Sequence, residues 1–101
     1  MTAEVIIAPE AEKELNEAIN WYDERKRGVG QKLGRDVRAI MRKAAATPER
    51  FRLVSRLTRQ ARVPDWEYSV YFTFQNEPPR IIIVAVFHAR RNPVDLYRRL
   101  K

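Results

Sequence analysis

Cysteine is absent from the 101-residue chain, and histidine occurs once, at position 88. Without thiols, the chain has no disulfide bonds, no thiolate nucleophile and no thiolate-bound zinc. One imidazole also excludes metal sites that use two histidines. We therefore expect no metal ion and no small-molecule cofactor, and we expect the protein to work in a reducing cytoplasm.

Long apolar runs are missing as well. The longest is Ile81 to Phe87, far shorter than the roughly 20 residues of a membrane-spanning helix. The N-terminus lacks a basic segment followed by a long apolar stretch, so no secretory signal is visible. We expect no membrane contact. The length and the 45% hydrophobic content predict a single globular domain over residues 1–101.

Glycine is scarce, with three residues at positions 28, 30 and 34. Their spacing resembles a phosphate-binding loop only superficially. The third glycine lies one residue too far along, and the segment follows a predicted helix instead of a strand. We interpret these residues as a helix end followed by a site of close packing.

Positive charge exceeds negative charge, with 20 basic and 13 acidic residues and a net charge of +7. Residues 1–50 carry ten basic and nine acidic side chains, whereas residues 51–101 carry ten and four. Nine of the ten basic residues in the second half are arginines, which suit phosphate or carboxylate contacts. The asymmetry predicts an electropositive surface built by the C-terminal half. The alternative is that these residues only solvate the fold.

The first half of the chain shows helical periodicity after a short strand. Val5 to Ala8 is apolar and predicts a strand. Pro9 suits the first position of a helix that runs to about Arg27. A second apolar stripe with helical spacing begins at Val29 and stops at Thr47-Pro48. The short connection predicts an antiparallel helical hairpin.

After Pro48 the periodicity changes from 3.6 to 2. Strands are predicted at Arg56–Val63, weakly, and at Tyr68–Phe74 and Ile81–Phe87, the last apolar on both faces and therefore central. The segment from Asn92 to Leu100 predicts one short helix or tail beginning at Pro93. The order indicates an α+β fold, in which the helical hairpin covers one face of a mainly antiparallel sheet.

The segment that follows the central strand contains residues suited to acid–base chemistry on a phosphate. His88 can take and give a proton near neutral pH. Arg90 and Arg91 could hold a phosphate, and Tyr97 follows in the short helix. Metal-independent RNA cleavage would use these residue types as catalytic groups. The alternative is that His88 is a hydrogen-bonded residue at the strand end and that the arginines meet a partner's carboxylates.

A wider set of arginines forms the candidate surface for binding a target or a nucleic acid. Its members lie near the sheet or in the C-terminal tail: Arg56, Arg59, Arg62, Arg90, Arg91, Arg98 and Arg99. For the first three, a solvated edge strand protected against pairing is an alternative interpretation.

Three segments together resemble the RelE/ParE superfamily of type II toxins. They are Ala8 to Leu15 at the start of the first helix, the strand Tyr68-Ser69-Val70-Tyr71, and the run from Val84 to Arg91. The resemblance covers nearly the whole chain in order and spacing. It implies a small toxin that is neutralised by an antitoxin, which wraps an extended or helical segment over it.

The two branches of that superfamily imply different activities. RelE-like toxins cleave messenger RNA on the ribosome with lysines, arginines and a C-terminal tyrosine. This chain departs from that pattern, because Ser69 stands where an arginine is common and no lysine lies between Lys43 and Lys101. ParE-like toxins inhibit DNA gyrase without a catalytic constellation, and their last strand often ends in a histidine, as at His88. We favour the ParE-like interpretation. The alternatives are a ribosome-dependent endoribonuclease that uses His88, Arg90, Arg91 and Tyr97, and a non-toxic basic nucleic-acid-binding module.

Overall fold

The computed structural model describes residues 2–100. In chain order the elements are β1 (Glu4–Ile7), α1 (Pro9–Arg25), α2 (Val29–Ala46), a 3₁₀ turn (Pro48–Arg50), β2 (Arg52–Leu53), β3 (Thr58–Arg62), β4 (Tyr68–Gln75), β5 (Arg80–His88) and α3 (Pro93–Tyr97). Within residues 2–100, none of the helices combines the length and the apolar character needed to cross a membrane.

Five strands form one sheet in the order β1-β5-β4-β3-β2. β1 runs parallel to β5, and the other neighbours are antiparallel. The helical hairpin of α1 and α2 covers one face and shares the main hydrophobic core with the sheet. A smaller cluster on the opposite face joins Leu96 of α3 to Ala85 and Phe87. The predicted α+β fold is confirmed.

β5 is apolar on both faces because both faces are covered. Ile81, Ile83 and Val86 enter the core under the helices, and Phe87 meets α3 on the other side. The pairing with β4 shifts after Ile83, so that Val84 has no partner residue opposite it. Such a bulge bends the strand and re-aims its side chains.

The two helices approach closely at the glycines. A Cβ atom on Gly30 would lie 2.0 Å from the carbonyl oxygen of Ile19, and one on Gly34 would lie 2.9 Å from the Ile19 side chain. Gly28 turns the chain between the helices with φ of 91°, in the left-handed region that favours glycine. The structure agrees with a turn followed by close packing.

Several element boundaries and the number of strands differ from the sequence prediction. β3 spans Thr58–Arg62 within the predicted Arg56–Val63, and α3 ends at Tyr97 and not at Leu100. α1 ends at Arg25 and not at Arg27, because Lys26 already has extended backbone angles. Four strands follow the hairpin instead of three, since β2 pairs Arg52 and Leu53 with β3. Two residues are too few to show a periodicity of 2, so the sequence pattern does not predict β2.

Candidate functional site

The second half of β5 has an edge that no strand covers. β1 ends beside Ile83, whose carbonyl accepts a hydrogen bond from the Ala8 N–H at 2.9 Å. Further along this edge, side chains take the place of a strand. Glu14 of α1 accepts a hydrogen bond from the Val86 N–H at 3.1 Å, and Arg99 donates to the Val84 carbonyl at 3.1 Å. The bulge at Val84 thus lies next to an ion pair that completes the edge.

Glu14 is the centre of that ion pair. Its side chain is 9% exposed and accepts hydrogen bonds from both terminal nitrogens of Arg99, at 3.1 and 2.8 Å. Arg91 also donates to Glu14, and Arg99 reaches Glu10 at 2.8 Å. The hydrogen bonds that the Arg99 guanidinium donates to Glu14 raise the pKa of Arg99. The candidate residues Arg91 and Arg99 are therefore held by carboxylates of α1.

His88 at the end of β5 is held by its neighbours on β4 and in the following turn. Its Nδ1 accepts the Arg90 N–H at 3.0 Å, so the neutral ring carries its proton on Nε2. Nε2 lies 3.6 Å from a carboxylate oxygen of Glu67, and the Arg90 guanidinium lies 3.6 Å from the same oxygen. The ring packs edge-on against Tyr68, with centroids 4.9 Å apart.

Tyr97 lies on the open face of the sheet, opposite the helical hairpin. It borders a groove of about 430 Å³ together with Arg62, Tyr71 and Phe87. The Tyr97 side chain is among the most exposed large side chains, at 64%. Burial raises the pKa of Tyr71, which keeps its hydroxyl protonated, and that hydroxyl accepts a hydrogen bond from Gln60 at 3.0 Å.

The candidate catalytic residues are divided between two sides of β5. Successive residues of a strand face opposite sides, so Phe87 faces the open groove with Tyr97, while the His88 ring packs against Tyr68 at the strand end, where His88 borders both this groove and one beside α1. Arg91 turns to Glu14, and its guanidinium covers the Phe87 ring at 4.6 Å. Tyr97 thus lies apart from the carboxylate contacts that hold the other three residues.

The seven candidate binding arginines do not share one surface. Arg59 faces the helix side and donates to the carbonyl of Phe51 at 2.7 Å. Arg62 is exposed at the end of β3, on the open face, and Arg56 is exposed in the loop before β3. Arg98 is exposed in a groove beside α1 that Arg91 and Arg99 also line, together with the carboxylates of Glu10, Glu14 and Glu17. The other three arginines contact carboxylates: Arg90 lies near Glu67, and Arg91 and Arg99 bind Glu14.

A second groove runs between α1 and the edge of β5, with a volume of about 300 Å³. Trp21, Tyr22 and Tyr68 give it aromatic walls, and Glu17 stands at its rim. Trp21 is 50% exposed, and the Arg25 guanidinium lies 3.6 Å from the centroid of its ring. We call this the α1 groove. It provides an apolar surface beside the uncovered edge of β5.

Between residues 2 and 100, no three histidine or carboxylate side chains are placed to hold a metal ion.

Comparison with known proteins identifies the family. The family model described as "ParE toxin of type II toxin-antitoxin system, parDE" matches residues 5–93, which is most of the chain. The chain belongs to the ParE toxin family. A solved structure titled "Chromosomal ParDE TA system from P. aeruginosa" is similar in fold, with a TM-score of 0.75 and 12% sequence identity. The match covers 88% of this chain and 98% of that one. No curated protein matches the chain.

Within this ParE chain, the sequence analysis missed the α1 groove and the role of Glu14. The exposed Trp21 precedes Tyr22 of the buried helical stripe, and an aromatic residue just off such a stripe is a usable signal for a partner contact. Glu14 gave no such signal, because its partners are 72 to 85 residues away in the chain.

Proposed function

We propose that this ParE-family toxin inhibits growth in the cytoplasm by binding DNA gyrase, without a catalytic step of its own. The observation that carries this proposal is that carboxylates contact three of the four candidate catalytic residues. Glu67 lies against His88 and Arg90, and Glu14 binds Arg91. Arg91 is held by the nearly buried Glu14, and Tyr97 lies apart from all of these carboxylate contacts, so the four groups do not converge on one phosphate.

The proposed regulator is a cognate antitoxin whose segment lies in the α1 groove. Two features support this binding site. Trp21 and Tyr22 offer large aromatic contact areas, which dominate the energetics of protein interfaces. The exposed carboxylate of Glu17 also lines the groove, where it favours a segment that carries a basic side chain next to its apolar ones.

Inhibition of supercoiling by the purified chain tests the gyrase target. Relaxed plasmid, gyrase and ATP are incubated with increasing amounts of the chain, and the supercoiled product is measured on a gel. We expect dose-dependent loss of supercoiling, and its reversal by the antitoxin encoded beside the toxin. Unchanged supercoiling at a large molar excess of an intact, folded chain would contradict the proposal.

Ribosome-dependent mRNA cleavage is the second candidate, and the open-face groove favours it. Tyr97 is exposed there, beside Arg62 and Tyr71. Primer extension on transcripts from cells expressing the chain distinguishes the candidates, because a ribonuclease leaves new 5′ ends within coding regions. Absence of any growth defect would favour a non-toxic nucleic-acid-binding module instead.

A further inference from the structure

The two helices of the hairpin carry opposite charges. α1 contains six acidic and two basic residues, for a net charge of −4. α2 contains five basic residues and one acidic residue, for a net charge of +4. The small net charge of the first half of the chain therefore conceals a strongly acidic helix beside a strongly basic one.

The positive charge of α2 lies on its solvent face. Eight residues of the helix are exposed, and none of them is acidic. Five are basic (Lys32, Arg35, Arg38, Arg42 and Lys43), and we call this surface the α2 basic face. The acidic residue, Asp36, accepts a hydrogen bond from the Trp66 indole at 2.8 Å and neutralises none of them directly. Within residues 2–100, no ion pair involves any of the five.

This arrangement is unfavourable for an isolated helix. Basic residues at spacings of three and four, such as Arg35, Arg38 and Arg42, repel one another. Lys32 also lies in the first turn, where the helix dipole disfavours cations. A solvated helix face usually alternates charges of both signs, as Lys13 and Glu17 do on α1. An anionic partner would relieve this repulsion.

We infer that the α2 basic face binds the phosphate backbone of duplex DNA. Charge complementarity points to a polyanion, and arginine donates two parallel hydrogen bonds to a phosphate. The five cations span about 16 Å along the helix at 1.5 Å per residue, which is enough to reach several phosphates. This inference goes beyond the proposed function and does not depend on gyrase being the target.

The remaining exposed residues favour a duplex over other anionic partners. They are Gln31, Ala39 and Ala46, so the face has no large apolar or aromatic side chain. Protein interfaces place such side chains at their centre and exclude charge from it. Sites for single-stranded nucleic acids need aromatic rings on which the bases stack. Small residues between arginines instead allow a regular phosphate backbone to approach the helix.

Fluorescence anisotropy with a labelled 20-base-pair duplex of arbitrary sequence tests the inference. The variant R35Q/R42Q removes two cations from the α2 basic face. We expect its Kd at 0.1 M salt to rise at least about tenfold and its salt dependence, d log K/d log[salt], to fall in magnitude by about 2, since each phosphate contact contributes about 0.9. The matched control K13Q/R25Q removes two exposed helical cations from α1 and should bind like the unmodified chain.

The variant Ala39→Glu separates binding from folding. Ala39 is exposed, and a glutamate there lies four residues from both Arg35 and Lys43, so it should hold or raise the melting temperature through new ion pairs. It should nevertheless weaken duplex binding, because it places a carboxylate at the centre of the face. Unchanged duplex affinity in folded Ala39→Glu would overturn the inference.

Three further results would overturn the inference, because each indicates a different binding partner for the α2 basic face. Tighter binding of the single strand than of the duplex would indicate a stacking site. Tighter binding of a polyglutamate peptide of equal charge would indicate an acidic protein partner. A change in sedimentation of R35Q/R42Q, without a change in duplex affinity, would indicate that α2 meets α1 of a second copy. None of these results depends on the supercoiling assay, so failure of one proposal is distinguishable from failure of the other.

Discussion

Glu14 of α1 and Arg99 in the C-terminal tail form an ion pair that completes the edge of the central strand. The residues are 85 positions apart, and their side chains meet at 2.8 Å. Each also bonds to the backbone of β5, Glu14 to the Val86 N–H and Arg99 to the Val84 carbonyl. The pair thereby ties the tail, the first helix and the sheet together where β1 has ended.

Arg99→Ala should lower the free energy of unfolding by about 2 kcal/mol. The substitution leaves Glu14, which is 9% exposed, with fewer donors and leaves the Val84 carbonyl without its side-chain donor. Urea denaturation measures the change. Lys13→Ala is the matched control, because its ion pair with Glu17 is highly exposed and should contribute less than about 0.5 kcal/mol. Equal stabilities of the two variants would show that the Glu14–Arg99 pair contributes little.

Gly30→Ala should destabilise the hairpin by about 3 kcal/mol. A methyl group there would lie 2.0 Å from the backbone oxygen of Ile19, and backbone cannot move aside without separating the helices. Gly34→Ala is the comparison, since its nearest contacts are ends of the Ile19 and Arg38 side chains, which can rotate. Thermal unfolding should rank the variants with Gly30→Ala far below Gly34→Ala. The reverse ranking would contradict the close approach of the helices.

The helices and long strands were predictable because each is long enough for its periodicity to show. Pro9, Gly28 and Pro48 mark the helix boundaries to within a few residues. β2 was not predictable, because two residues carry no period. The ion pairs of Arg91 and Arg99 with Glu14 were not predictable either, because these residues meet only after the chain has folded. The sequence gives the positions of these charges along the chain but does not show which carboxylates neutralise them.

The charge contrast within the hairpin is present in the sequence, but a count over each half of the chain does not show it. Dividing the chain into halves averaged α1, at −4, with α2, at +4. The contrast appears in the sequence alone when charge is counted over each predicted helix. The missed signal was therefore present in the pattern of Arg35, Arg38 and Arg42.

Asp23→Asn should destabilise the chain at neutral pH, and the difference from the unmodified chain should shrink in acid. The Asp23 carboxylate accepts hydrogen bonds from the Gln31 side chain and the Gly30 N–H. These bonds, the one from Gln31 foremost, lower its pKa despite desolvation, which acts in the opposite direction. A lowered native pKa stabilises the fold above the unfolded-state pKa of about 4. The stabilisation disappears as the pH falls through the native pKa.

Urea titrations of both chains between pH 3 and pH 7 measure this difference. A difference that stays constant down to pH 3 would mean that ionisation of Asp23 is not what stabilises the turn between α1 and α2.

Trp21→Ala should weaken binding of the cognate antitoxin by at least tenfold while leaving stability nearly unchanged. Trp21 is half exposed in the α1 groove, so its loss removes partner contact area and little core packing. Isothermal titration calorimetry measures the affinity. Leu57→Ala is the matched control, because Leu57 is 55% exposed but lies before β3, at the far edge of the sheet. Equal losses in both variants would place the antitoxin elsewhere.

The double variant H88A/Y97A tests most directly whether this ParE toxin acts without catalysis. The two residues are the candidate acid–base groups, and neither belongs to the main core. Growth inhibition on induction is compared with that of the unmodified chain, after circular dichroism has established that the variant is folded. The account predicts undiminished growth inhibition and unchanged inhibition of gyrase. Loss of toxicity in the folded variant, together with loss of mRNA cleavage that the unmodified chain produces, would contradict it.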